Sequence, residues 1–280
     1  MSREGEPKVY LLPNLMTAGN LFCGFAAVLS ILEGALQQKT GFPSSGYYHR
    51  AILFILGAFL FDLLDGRVAR LGGFESPFGR EFDSLADMIS FGVAPALLVF
   101  QIVLAEFDRA GWMVAFVYLA CGALRLARFN CVAAEAKEGG STDFQGFPIP
   151  AAAGLTVSLT LMMLWFQEGD VRIGPWKYAL PILMLFLSFM MFSRVSYPSF
   201  KTINWRMEHS LTRFLVVIVI IVFTLMNWQW MPAVLFSGYL IYGLVGGNKK
   251  TASVGVFSGD ADASDASEDK ESKGSEVGKR

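Results

Sequence analysis

Residues 62–87 read D-L-L-D-G-R-V-A-R-L-G-G-F-E-S-P-F-G-R-E-F-D-S-L-A-D. Four aspartates, Asp62, Asp65, Asp83 and Asp87, stand here between two long apolar runs. An unpaired carboxylate near a bilayer centre costs about 2.5–3.5 kcal/mol on insertion scales, so carboxylates at a membrane boundary need a reason. Asp62 and Asp65 are three residues apart, and Asp83 and Asp87 four apart, so each pair projects from one helical face. Gly72, Gly73 and Pro77 in the link favour a turn that folds the two faces together. Four carboxylates brought together repel one another unless cations lie between them. Oxygen-only donors select hard cations, Mg²⁺ or Mn²⁺ before zinc or copper. Helix caps or solvated loop charges would explain one or two such residues, not four in register. The stretch predicts two membrane helices joined by a tight link around a metal site.

The residues between the aspartates extend the reading. Gly66 follows Asp65 directly, Ala69 lies three further on, and Gly79 precedes Asp83 by four. Small residues on those faces let a ligand approach the backbone closely. Arg67, Arg70 and Arg80 border the cluster and could hold phosphate oxygens. Cations, arginines and small residues together suit a nucleotide diphosphate, with charge neutralised at the transferring phosphorus.

The spacing D-x2-D-G-x2-A-R-x8-G-x3-D-x3-D resembles the signature of the CDP-alcohol phosphatidyltransferases. Its fixed positions are Asp62, Asp65, Gly66, Ala69, Arg70, Gly79, Asp83 and Asp87. The resemblance implies two divalent cations, one on Asp62, Asp65 and Asp83 and a second approached by Asp62, Asp83 and Asp87. It also implies that Asp87 is the general base for an attacking hydroxyl. Gly66, Ala69 and Gly79 would leave room for cytidine and ribose. Arg70 would sit near the phosphates or orient an aspartate. A homodimer is the usual assembly of similar proteins.

Composition agrees with a membrane fold. Of 280 residues, 54% are hydrophobic and 17% charged, with a mean hydropathy of +0.46. That composition excludes an ordinary soluble domain. The net charge of −1 comes without a basic stripe interleaved with aromatics, so no nucleic-acid partner is expected. Cys23, Cys121 and Cys131 lack metal-ligand spacing and read as packing residues. The first apolar run continues past the length of a signal-peptide core and reads as a retained span.

The expected fold class is all-α: a polytopic helix bundle of about eight transmembrane helices. The spans run about 11–35, 51–70, 80–105, 111–131, 150–166, 178–192, 211–227 and 231–245, with a polar loop at 37–50 after the first. Residues 1–10 form a short N-terminus, 11–246 the catalytic domain, and 247–280 a polar tail expected to be disordered. Asn14, Thr17 and Asn20 recur every third residue on the first span. They either bond to neighbouring helices or, like similar residues in the family, meet the CDP moiety. Arg125, Arg128 and Asn130 close the fourth span and could line an acceptor pocket, although flanking arginines also snorkel to interfaces. Arg194 and Lys201 lie in the next segment on that side. With the N-terminus inside, 14 of the 23 lysines and arginines fall on that side and five opposite. This bias places the aspartates at the cytoplasmic face of the cell membrane.

Three further stretches resemble the phosphatidylserine synthase branch. They are L-P-N-L-M-T-A-G-N-L-F-C-G at 12–24, A-R-F-N at 127–130 with F-Q-G-F-P-I-P-A-A at 144–152, and Y-P-S-F-K at 197–201. This resemblance covers about residues 11–245. It implies transfer of a phosphatidyl group from CDP-diacylglycerol, or CDP-archaeol in an ether-lipid membrane, to the hydroxyl of L-serine with release of CMP. Arg128 or Arg194 would then hold the serine carboxylate. The branch more often has Leu where Phe147 stands and a basic residue where Ser196 stands. The other acceptors weighed are glycerol 3-phosphate and an inositol phosphate, which would want several converging basic residues. A divalent-cation transporter is the alternative outside this chemistry, and would want its ligands near mid-membrane on broken helices.

Overall fold

The computed structural model describes residues 10–73, 76–136, 146–169, 178–193 and 211–244. Eight helices fall among the described residues, and no strand does. They are α1 (Leu11–Lys39), α2 (Ser45–Gly72), α3 (Pro77–Ile102), α4 (Asp108–Ala136), α5 (Ile149–Glu168), α6 (Ala179–Phe192), α7 (Leu211–Met226) and α8 (Met231–Leu244). Each matches one expected span. By length and apolarity α1, α3, residues 104–132 and α5 could each cross a membrane. The chain is a multi-pass membrane protein of helical fold. The expected loop at 37–50 shrinks to a few residues, because α1 runs on to Lys39 and α2 begins at Ser45. Polar side chains there read as loop, yet they stay helical. Tyr48 donates from its hydroxyl to Gln38 Oε1 (3.0 Å) and pins the two ends together.

α1 packs most extensively on α2. Its small residues let neighbours in: a Cβ added at Gly24 would lie 2.9 Å from Ser90 Cα, and one at Gly19 2.9 Å from Phe61. α5 is buried along nearly its whole length and forms the centre of the bundle. α8 reaches it through Phe236, which packs edge-on against Phe59 of α2, centroids 5.7 Å apart, and covers Gly154 of α5. Phe22, Phe25, Trp112, Met113, Phe116 and Phe189 are exposed, which suits a lipid-facing surface in a chain of this hydropathy. Cys23 is buried as expected of a packing residue, whereas Cys131 is exposed.

α3 is not regular. Residues Met88–Val93 form a π turn directly after Asp87, and the Ala94 N–H bonds back to Ile89 O. Pro95 explains part of this, because proline has no N–H and its ring crowds the carbonyl four residues earlier. That carbonyl belongs to Phe91, and the buried Tyr118 hydroxyl of α4 donates to it at 3.2 Å. A side chain from the next helix thus replaces the missing backbone donor. The turn fixes how Asp87 and the residues after it meet α1.

Candidate active site

The link between α2 and α3 is shaped at both ends. Gly73 ends α2 in the left-handed region (φ 64°), its N–H bonded to Ala69 O. Ser76 caps α3, its Oγ accepting from the Gly79 N–H at 3.0 Å, with Pro77 in the first turn. Pro77 suits that position because its missing N–H would have no helical partner there. The two capped ends set Asp62 and Asp65 against Asp83 and Asp87.

Asp62, Asp83 and Asp87 each offer a carboxylate oxygen within 4.8 Å of the others. Asp83 Oδ1 is buried and accepts no hydrogen bond, and Asp87 is only 7% exposed. Three converging carboxylates, one with an orphaned oxygen, are what a hard divalent cation satisfies. Asp65 is not one of this trio and is bonded to α1. Its Oδ2 accepts from Thr17 Oγ1 at 3.0 Å, and the same hydroxyl lies 3.2 Å from Pro13 O.

The polar stripe of α1 therefore meets the carboxylates themselves. Asn20 donates from Nδ2 to Asp87 Oδ1 at 3.0 Å, while its backbone carbonyl accepts from Ser90 Oγ at 3.0 Å. Asn14 is the third of the stripe. Its Oδ1 would lie 3.3 Å from a Cβ at Gly79, and its Nδ2 is buried without a partner. Of the two readings of the stripe, helix-to-helix bonding holds for Thr17 and Asn20. Asn14 makes no such bond through its Nδ2.

The basic residues divide. Arg125 is near enough to Asp87 and Tyr239 to feel their charge, and its Nε is buried without a hydrogen-bond partner. Arg128 is exposed, and so is Arg67. Arg80 has its Nε buried 3.8 Å from Glu81 Oε1, beyond hydrogen-bond range. Asn130 donates from Nδ2 to Glu81 Oε2 and to Ser84 Oγ, both at 3.0 Å, and so ties α4 to the start of α3. Gly66 and Ala69 sit in α2 just after Asp65. The backbone of Arg70 belongs to α2, and its side chain lies outside what is described, as do Arg194, Lys201 and the tail from 247.

With the geometry in place, the comparisons decide the family. The pattern of the CDP-alcohol phosphatidyltransferase family matches residues 10–192. The chain belongs to that family. It is 37% identical over 241 residues to a CDP-diacylglycerol–serine O-phosphatidyltransferase of Helicobacter pylori, covering 85% of this chain and 91% of that one. To the enzyme of the same name in Bacillus subtilis it is 33% identical over 190 residues, 68% of this chain and 91% of that one. It is also 34% identical over 189 residues to an archaetidylserine synthase of Methanothermobacter thermautotrophicus, 67% of this chain and 69% of that one. As a CDP-alcohol phosphatidyltransferase, the chain has its whole signature on α2 and α3 around the carboxylate trio. Two contributors lie outside that signature. Asn20 was signalled by the three-residue repeat of the stripe. Tyr239 carried no local signal, because only the tertiary fold brings α8 to Arg125.

Proposed function

We propose that the chain transfers a phosphatidyl group from CDP-diacylglycerol to the hydroxyl of L-serine, giving phosphatidylserine and CMP. The carrying observation is the convergence of Asp62, Asp83 and Asp87 at the ends of α2 and α3. The names of the relatives supply the acceptor. The residues fit two divalent cations, Mg²⁺ or Mn²⁺, held by Asp62, Asp83 and Asp87 with Asp65 completing the set. Bound there, the cations would neutralise the pyrophosphate and the departing CMP.

The chain's own groups account for the rest. Gly66, Ala69 and Gly79 leave the nucleotide room against the backbone, with Asn14 and Thr17 at its edge and Arg70 near the phosphates. The serine hydroxyl forms its bond to the lipid-side phosphorus as the bond from phosphorus to CMP breaks. Asp87 takes the hydroxyl proton as general base, held in orientation by Asn20. Arg125 beside Asp87 suits one acceptor carboxylate. Arg128, Arg194, Lys201 and Asn130 remain candidates for the rim of that pocket.

A phosphate-bearing acceptor would want several converging cations. Among the described residues Arg128 is exposed and the Asn130 amide is bonded to α3. Transport is not favoured either, since Asp62 and Asp65 lie toward the end of α2 and Asp83 near the start of α3. The charge bias supports a cell-membrane enzyme with its site facing the cytoplasm, and we extend the reading to a homodimer. The donor tails are ester or ether linked according to the host membrane.

The test is an acceptor panel with purified chain, labelled CDP-diacylglycerol and Mn²⁺. Serine should support CMP release, and glycerol 3-phosphate and inositol phosphate should not. Turnover with glycerol 3-phosphate alone would overturn the acceptor and keep the family.

A further inference from the structure

Outside the signature, one carboxylate near the start of α3 is held in place by the neighbouring helix. Glu81 lies two residues before Asp83, and its side chain is 60% exposed. Asn130 of α4 donates from Nδ2 to Glu81 Oε2 and to Ser84 Oγ, both at 3.0 Å. The Ser84 hydroxyl in turn donates to Arg80 O at 3.1 Å, which leaves its oxygen free to accept from the amide. One amide therefore fixes both side chains. Arg80 Nε stands 3.8 Å from Glu81 Oε1, beyond hydrogen-bond range, so Asn130 is the residue that holds this carboxylate.

Ordering an exposed glutamate costs up to about 2 kcal/mol of rotamer freedom. The Asn130 amide offsets part of that before any ligand arrives, which is the preorganisation a binding group needs. Position adds a second argument. Ser84 is three residues from both Glu81 and Asp87, and at about 1.5 Å of rise per residue the two carboxylate-bearing positions lie about 9 Å apart along α3. Two contacts of about 2.8 Å each, with the short hydroxyl-to-ammonium span of serine between them, bridge that separation. The signature aspartates are committed to cations and to the hydroxyl proton, so an ammonium needs a different anion.

We propose that Glu81, held by Asn130, is a specificity-determining residue whose carboxylate accepts the ammonium of the acceptor amino acid while the hydroxyl faces Asp87. This rests on the serine reading above and adds a site for the amine, which that reading leaves unassigned. The same negative charge repels an acceptor that brings a phosphate and no ammonium, so Glu81 both selects and excludes.

The experiment follows labelled serine incorporation by the full chain in detergent, varying serine, CDP-diacylglycerol and Mn²⁺ separately, with 3-hydroxypropionate as competitor. That competitor keeps the hydroxyl and the carboxylate and lacks the ammonium. Glu81→Gln retains an oxygen for the Asn130 amide and removes only the charge. It should raise the serine KM about ten- to a hundredfold. The CDP-diacylglycerol KM, the Mn²⁺ half-saturation and the inhibition by 3-hydroxypropionate should stay unchanged. Asn130→Ala, which frees Glu81, should raise the serine KM about threefold to tenfold and decides the matter if Glu81→Gln fails to fold. A serine KM unmoved by Glu81→Gln in a folded chain overturns the proposal. So does a loss of Mn²⁺ or donor affinity in step with serine, because a glutamate that merely ties α3 to α4 would disturb the aspartates with it. The metal and donor readings decide where 3-hydroxypropionate does not compete. If the wild-type chain uses serine and these variants are silent, this inference alone falls. If the wild-type chain uses only a phosphate-bearing acceptor, the serine reading falls with it.

Discussion

Asn20 Nδ2 donates to Asp87 Oδ1 at 3.0 Å, joining the middle of α1 to the innermost carboxylate of α3. The bond leaves the second Asp87 oxygen to the cluster, and Ser90 Oγ on the Asn20 carbonyl keeps the donor in place. Asparagine suits this position because it is a donor that adds no charge to a site already rich in negative charge. Asn20→Ala should therefore lower kcat about ten- to a hundredfold, the range typical of lost outer-shell partners at metal sites. The CDP-diacylglycerol KM should change little. Single-turnover measurement of CMP release separates the two, and a loss confined to donor binding would contradict this role.

Asp87 and Asp65 should respond differently to amide substitution. Asp87→Asn removes the proposed base and should spare CDP-diacylglycerol affinity while turnover falls by a hundredfold or more, within the usual range for general bases. Asp65→Asn keeps a hydrogen-bonding group opposite Thr17 and should raise the Mn²⁺ requirement first. Titrating activity against Mn²⁺ in each variant reads both effects. Equal loss of nucleotide-lipid affinity and turnover in Asp87→Asn would make Asp87 mainly a ligand.

Gly24 is where α1 packs against Ser90 in the π turn of α3. A Cβ there would lie 2.9 Å from Ser90 Cα, a backbone atom that cannot rotate away. Gly24→Ala should destabilise by about 1–3 kcal/mol, the usual cost of overpacking. It should also lower turnover, since pushing α3 outward pulls Asp87 from Asn20. Thermal unfolding in detergent beside the CMP assay tests both. An alanine variant as stable and active as wild type would show that the helices separate freely.

The Tyr118 hydroxyl on the Phe91 carbonyl substitutes for the donor that Pro95 lacks. Tyr118→Phe leaves a buried carbonyl unpaired and should cost about 1–3 kcal/mol. Adding Pro95→Ala restores a backbone N–H, so the double variant should lose less than the two single losses summed. Additive losses would mean that the proline and the tyrosine act independently.

Much of this was legible in the chain. The spacing of Asp62, Asp65, Asp83 and Asp87 carried the site, because helical period and a Gly-Pro link suffice to bring two faces together. Helix ends were readable to within a few residues, except between α1 and α2, where Gln37, Gln38 and Lys39 continue a helix that composition alone breaks. Two features were not legible. Thr17 bonds to Asp65, which depends on how closely α1 packs and so on contacts between distant residues. The π turn after Asp87 needs both Pro95 and the hydroxyl of Tyr118, and no local pattern couples those two residues. Arg128 and Arg125 look alike in sequence. Helix rotation exposes Arg128 and buries the Nε of Arg125.

The central claim is that the aspartate cluster carries metal-dependent transfer, and metal add-back tests it most directly. Chain stripped with EDTA is given CDP-diacylglycerol and serine, and CMP release is followed as Mn²⁺ is returned. The account predicts no release without the cation, saturable recovery as it is added, and almost none at any concentration for Asp62→Asn or Asp83→Asn. Full turnover in EDTA, or full recovery in Asp83→Asn, would contradict it.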